Sequence, residues 1–199
     1  MLPWVISRAT GLVAFALIAA AMVAGLLVKT RSPVGSVKGS GMVDLHRHLS
    51  LAALVYIGIH GGSLLFDRTV DVSPLALVVP GLIPYRPVWT GIGVAAAEIA
   101  LLVHLSFRFR KRLGSKVWRR LHWLTYAVFA GGAVHGIASG TDTGTTPALM
   151  LYAGAVAAVA ALTGWRAVTA RRPAARKAPA RQTPTVDAVA SPRPDGAAA

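Results

Sequence analysis

The sequence contains no cysteine. That excludes a disulfide framework, an iron–sulfur cluster, thiolate-ligated zinc and a cysteine nucleophile, and it leaves any metal chemistry to the six histidines. Acidic residues are scarce as well: seven Asp and Glu stand against 21 Lys and Arg, a formal net charge of +14. Charged residues of both signs make up only 14% of the chain, whereas a water-soluble domain carries about 25%. Of 199 residues, 54% are apolar and the mean hydropathy is +0.57. The apolar residues gather in blocks, so the solvent they call for is lipid. A basic excess suits nucleic acid when it lines one face of a soluble fold. Here it lies between and after the apolar blocks, a pattern of membrane topology with no nucleic-acid partner implied.

Five blocks are long enough to cross, or nearly cross, about 30 Å of hydrocarbon at about 1.5 Å per helical residue. They run from Trp4 to Val28, Asp44 to Phe66, Trp89 to Phe107, Val117 to Ser139 and Pro147 to Val168. The expected fold is therefore an all-α membrane bundle of about five transmembrane helices, multi-pass in the cell membrane. The segment from Val72 to Ile83 is apolar but broken by Pro74, Pro80 and Gly81, and it reads as an interfacial or re-entrant loop. The first block is longer than the apolar run of a signal peptide and is expected to be a retained helix. Residues 1–170 form the membrane domain. Residues 171–199 are rich in Ala, Pro and Arg without hydrophobic period and are expected to be a disordered cytoplasmic tail.

The basic residues orient the bundle. Three lie between Lys29 and Lys38, seven between Arg108 and Arg120, and seven from Arg166 onward, while the other connections hold only Arg68 and Arg86. By the positive-inside rule the N-terminus is outside and the C-terminus cytoplasmic. The second and fourth helices then run parallel. The second carries His46 and His60, 14 residues apart, and the fourth carries His122 and His135, 13 apart. Two depths follow, about 20 Å apart by helical rise, each with a histidine from both helices.

A single histidine within a membrane commonly only hydrogen-bonds a neighbouring helix. Four at matched depths point to haem instead, because a bis-imidazole iron needs one histidine on each of two facing helices at one height. Zinc or copper needs clustered ligands, which this spacing does not supply. Azimuth adds a condition. At about 100° per residue, 14 residues return to within about 40° of the start, but 13 miss by about 140°. Pairing His122 with His135 therefore requires a change of winding, for which Gly131 and Gly132 are candidates. His48 lies about 120° from His60 by the same count and is the weaker candidate, and His104 lacks a matched partner level.

At these residues the sequence resembles the ferric reductase-like transmembrane domain family, shared by ferric reductases, NADPH oxidases and the haem subunit of the periplasmic methionine sulfoxide reductase system. The matching text is Leu45-His46-Arg47-His48-Leu49-Ser50-Leu51 running to His60, and Trp118-Arg119-Arg120-Leu121-His122-Trp123-Leu124-Thr125-Tyr126 running to His135. It is most similar to the short actinobacterial-type members, whose pattern also covers Arg8-Ala9-Thr10-Gly11, Pro84-Tyr85-Arg86-Pro87 and Gly140-Thr141-Asp142. The resemblance implies haem b, in two copies, with His46 and His122 as inner ligands and His60 and His135 as outer ligands. It also differs from the long members, for no flavin or nicotinamide domain is legible, so a separate electron donor is expected.

Haem propionates are anionic and call for nearby cations. Arg47, Arg119 and Arg120 fall near the inner ligands, and Arg8, Arg68 and Arg86 near the outer boundary; setting topology is the alternative role for the inner ones. Glu98 lies mid-span, either hydrogen-bonded within the bundle or relaying protons to a quinone. Asp67, Asp71 and Asp142 fall in exterior connections, as solvated loop carboxylates or as an acceptor-docking site. Trp4, Trp89, Trp118 and Trp165 mark helix ends as an aromatic belt.

The leading reading is a b-type cytochrome that carries electrons from the cytoplasmic side through two bis-histidine haems to an exterior acceptor, ferric iron or an exported flavoprotein. It is an electron-transfer oxidoreductase subunit with no catalytic side chain assigned. A second reading is a quinol-linked haem subunit of an exported reductase. A third is a haem-free membrane scaffold or transporter whose histidines link helices.

Overall fold

The computed structural model describes residues 2–30 and 39–170. The basic connection after the first helix and the tail from 171 onward lie outside the described residues. Among those described, six α-helices and no strand are present: α1 (Leu2–Thr30), α2 (Gly39–Leu64), α3 (Pro87–Ser106), α4 (Arg110–His122), α5 (Thr125–Ser139) and α6 (Thr146–Ala170). Among the described residues, three segments are long and apolar enough to cross a membrane, Leu2–Val28, Pro87–Ser106 and Thr146–Thr169. The histidine-bearing α2 and α5 are not among them. Asp44, His46, Arg47 and His48 lower the apolarity of α2, and α5 alone has only 15 residues.

One expected element is corrected. The block from Val117 to Ser139 is not a single helix but parts at Trp123 and Leu124, and its first part continues back into the basic segment. Inside α4, Gly114 takes φ 75°, a left-handed conformation that glycine adopts without steric cost. It kinks this basic helix, none of whose residues is buried.

α1 is the centre of the bundle, packed on α2, α5 and α6, while α3 packs chiefly on α5. Phe15, Ala19, Met22 and Leu26 of α1 meet Phe129 and Ala133 of α5 and Ala148, Tyr152 and Val159 of α6. Phe15 stacks on Phe129 with ring centres 5.6 Å apart and lies 4.8 Å from the Tyr152 ring. In lipid there is little hydrophobic drive between helices, so close van der Waals contact between small residues has to hold them. Ser7, Gly11, Ala14, Ala21 and Gly25 recur along α1 at helical spacing.

The connection between α2 and α3 is compact. A 3₁₀ turn, Pro74–Leu77, is capped by the Ser73 side chain, and Val72, Ala76 and Ile83 pack on Val94 of α3. Pro87 opens α3 at a position where no N–H is needed. Arg86 just before it donates from Nη1 to the Ala138 carbonyl, and the Tyr85 hydroxyl donates to Ser139 O at 3.2 Å. Thr143 Oγ1 donates to Ile137 O at 3.0 Å. The last carbonyls of α5, which have no partner within the helix, are thus satisfied.

Candidate haem site

Each of the four matched histidines meets its expected partner. The ring centres of His46 and His122 are 6.1 Å apart, and those of His60 and His135 are 6.0 Å apart. The planes are steeply inclined in both pairs, at 76° and 74°. Because both pairs form, α2 runs parallel to α4 and α5. α2 packs on α1, and α5 packs on α3 and α1, so the histidine helices meet across the bundle through their rings.

The change of winding that a spacing of 13 requires is present, but not at Gly131 and Gly132, through which α5 runs unbroken. It lies at Trp123 and Leu124. Their φ/ψ are −64°/−21° and −62°/−14°, and Trp123, Leu124 and Tyr126 donate to carbonyls three residues back. About five residues at the 3₁₀ value of about 120° each add about 100° to the turn, which brings His135 to within about 40° of His122 in azimuth. That is the offset between His46 and His60. The rise agrees too: about 22 Å for 13 residues with about five of them at the 3₁₀ rise against about 21 Å for 14 α-helical residues.

Three rings are held from behind. His46 Nδ1 lies 2.8 Å from Ala21 O, His60 Nδ1 lies 2.8 Å from Ser7 O, and His135 Nδ1 lies 3.0 Å from Trp89 O. A carbonyl only accepts, so each Nδ1 carries the proton, which leaves Nε2 with its lone pair free to bind a metal. Metal-binding histidines almost always have such a partner on the other nitrogen. The Ser7 hydroxyl lies 3.2 Å from His60 Nδ1 and also from His60 O, to which it donates. His122 stacks on Trp118 of its own helix, with centres 5.1 Å apart and planes 22° from parallel.

The donor set fits haem iron. With a metal–imidazole bond of about 2 Å and a ring centre about another ångström behind the nitrogen, two imidazoles on opposite sides of one metal have centres about 6 Å apart. His48 and His104 stand apart from these pairs. Both are exposed, and His48 Nδ1 donates to Asp44 O of its own helix at 2.7 Å. Among the described residues no three His, Asp or Glu side chains converge on a common point.

The arginines divide. Arg8 makes a two-pronged ion pair with Asp142 and lies 4.1 Å over the Trp4 ring. Arg86 holds the end of α5. Arg47 is exposed and lies 3.8 Å from Asp44 and 5.8 Å from the Phe107 ring. Arg119 lines a pocket with Arg110, Lys111 and Trp118. Glu98 is half-buried in α3. Of the three connection carboxylates, Asp142 is taken by Arg8 and Asp67 accepts from Thr69 N at 2.7 Å, while Asp71 is exposed with φ 39°. The sequence reading missed Gly11, Gly25 and Gly93, each of which lies against a histidine ring. A signal for the first two was available: Gly11 and Gly25 are 14 residues apart on α1, as His46 and His60 are on the antiparallel α2.

Residues 10–133 match the family of the ferric reductase like transmembrane component. This chain belongs to that family. The matched span contains His46, His60 and His122 and ends two residues before His135. Among curated proteins the chain is similar to the protein-methionine-sulfoxide reductase heme-binding subunit MsrQ of Rhizobium meliloti (strain 1021), with 33% identity over 144 residues, 70% of this chain and 61% of that protein. It is also similar to the subunit of the same name from Brucella anthropi, with 32% identity over 150 residues, 73% of this chain and 61% of the relative. The chain thus spans about three fifths of the length of these relatives. No solved structure matches it.

Proposed function

We propose that this protein is a haem-binding electron-transfer subunit of the cell membrane, with two bis-histidine sites in series. The observation that carries the reading is the double pairing of histidine rings at about 6 Å on α2 and on α4–α5. The heme-binding subunits it resembles support the same cofactor. Haem b, when bound, supplies one-electron redox chemistry. His46 and His122 would hold the inner group and His60 and His135 the outer one, with Nε2 of His46, His60 and His135 left free for it by the carbonyls on Nδ1. With both histidines of each pair given to the cofactor, neither would be left to act on a substrate, which fits a chain that conducts electrons rather than one that activates a bound molecule. Ala21, Ser7 and Trp89 fix three of the rings through their carbonyls, which limits reorganisation as charge passes.

The basic connections support a cytoplasmic C-terminus and an exterior N-terminus, so electrons move outward from the His46–His122 level to the His60–His135 level. Arg47 and Arg119 supply positive charge for inner propionates. At the outer mouth Arg8 is paired with Asp142 and Arg86 with the Ala138 carbonyl, so their part there is to brace it. The electron donor is a separate flavoprotein or quinol, and the acceptor is exterior, either ferric iron or an exported flavoprotein. The names of the relatives support the narrower reading of a haem subunit serving a methionine sulfoxide reductase, and a quinol-linked form of it is the second reading proposed.

Purified protein reduced with dithionite is expected to show low-spin b-type bands; their absence overturns the proposal in favour of a haem-free scaffold. Reduction by quinol alone selects the quinol-linked form. Reduction only by a flavoprotein with a nicotinamide donor selects the other.

A further inference from the structure

The three rings held by backbone carbonyls share one construction. A carbon at the Cβ position of Gly93 would lie 2.6 Å from Cγ and Nδ1 of His135. At Gly11 it would lie 2.9 Å from His60 Nδ1, and at Gly25 3.2 Å from His46 Nδ1 and Cε1. In each case the carbonyl that takes the imidazole proton belongs to the residue four positions earlier: Trp89 for Gly93, Ser7 for Gly11, and Ala21 for Gly25. Helix geometry explains the offset. A side chain leans toward the N-terminus and covers the turn before its own Cα, so it shields the carbonyl four residues back. Glycine leaves that carbonyl open on one side. The carbonyl already accepts from the glycine N–H, and its second lone pair can take the imidazole N–H without breaking the helix.

We propose that Gly11, Gly25 and Gly93 are positioning residues that form helix notches. Each seats an imidazole flat on the helix backbone, fixes its proton on Nδ1 and aims Nε2 across the bundle. The inference deepens the haem reading above and rests on it. α1 carries two of the notches at a spacing of 14 and thereby sets the height of both α2 histidines, while α3 carries the third. The fourth ring has another support, the Trp118 stack. The notches also rank themselves, since the crowding a methyl group would create falls from Gly93 to Gly11 to Gly25.

The test compares Gly93→Ala, Gly11→Ala and Gly25→Ala with Gly58→Ala and Gly62→Ala, whose Cβ positions have nothing within 4 Å. All are made in the full chain, purified in detergent and checked for helix content and monodispersity. Haem affinity is expected to fall about 10–100-fold at the affected level, the size seen when the partner of a metal-binding histidine is lost. Gly93→Ala and Gly11→Ala act on the outer low-spin signal in electron paramagnetic resonance and Gly25→Ala on the inner one, with Gly93→Ala the most severe. The two controls retain both signals. In haem-free protein carrying ¹⁵N-histidine, Gly93→Ala is expected to lose the Nδ1–H signature of His135. Should Gly93→Ala not fold, the milder Gly25→Ala carries the test. Unchanged low-spin signals in the three variants, or equal losses in the controls, overturn the notch. Wild-type protein without low-spin bands overturns the haem reading instead, and the ¹⁵N comparison then decides the notch alone.

Discussion

At the scale of residues, the division among the six histidines follows from what stands behind each ring. His46, His60 and His135 each have a backbone carbonyl on Nδ1 and a ring from another helix in front, and His122 has Trp118 behind it. His48 satisfies Nδ1 within its own helix, and His104 is exposed. His60→Ala or His135→Ala is therefore expected to remove the outer haem alone, measured as haem per chain, while His48→Ala and His104→Ala leave haem content unchanged. Two-haem content in the His60 variant would contradict the assignment. Arg8 and Asp142 sit 134 positions apart and join the start of α1 to the loop after α5. Asp142→Asn is expected to lower stability by roughly 1 kcal/mol, the upper range for a partly exposed pair, read as a fall in thermal midpoint.

At the scale of elements, the join between α4 and α5 does the work that the glycine pair was expected to do. About five residues of 3₁₀ winding make 13 residues equivalent in azimuth and rise to 14 α-helical ones. The spacing alone shows that some change of winding is needed. It does not show where, because 3₁₀ winding has no strong residue signature and glycine pairs attract suspicion by their reputation for kinks. An alanine inserted between Trp123 and Leu124 is expected to be tolerated, since relaxing the 3₁₀ turn to α winding recovers the same geometry. The same insertion between Gly131 and Gly132 rotates His135 by about 100° relative to the Phe129 contacts. It is expected to abolish the outer low-spin signal. The loop between α2 and α3 offers a pH test. Asp67 accepts from the Thr69 hydroxyl and amide, and these hydrogen bonds hold its carboxyl below the ordinary value. A depressed folded value means stability that is present above the ordinary carboxylate range and is lost as pH falls through the folded value. Asp67→Asn is expected to flatten the decline in thermal midpoint at the acid end of that range.

At the scale of the whole molecule, α1 acts as the frame against which the histidine-bearing helices are held. α1 touches α2, α5 and α6, carries the central aromatic cluster, and supplies carbonyls to a histidine at each level. Among the described residues, the histidine-bearing α2 and α5 both fall short of a membrane span, α2 through its ionisable side chains and α5 through its length of 15 residues. Such helices depend on the frame. Changes at the α1 surface are for that reason expected to appear as altered haem signals before they appear as loss of helix.

Much of this was determined by the sequence. Composition set the lipid solvent, and the separations of 14 and 13 on helices made parallel by the basic connections matched His46 with His122 and His60 with His135, because a few residues of altered winding change the rise by only about an ångström or two. Rotation about the axis is not fixed in that way. It depends on local winding and on which helix lies behind each ring, so only the tertiary structure decided that Trp123 and Leu124 correct the register. The same holds for Arg8, which a charge count assigned to an anion at the outer boundary and which the fold joins to Asp142 across most of the chain. It holds also for the three carbonyls, since a backbone acceptor has no side-chain identity to read. Which carbonyl stands open to an imidazole is settled only when two helices lie against each other.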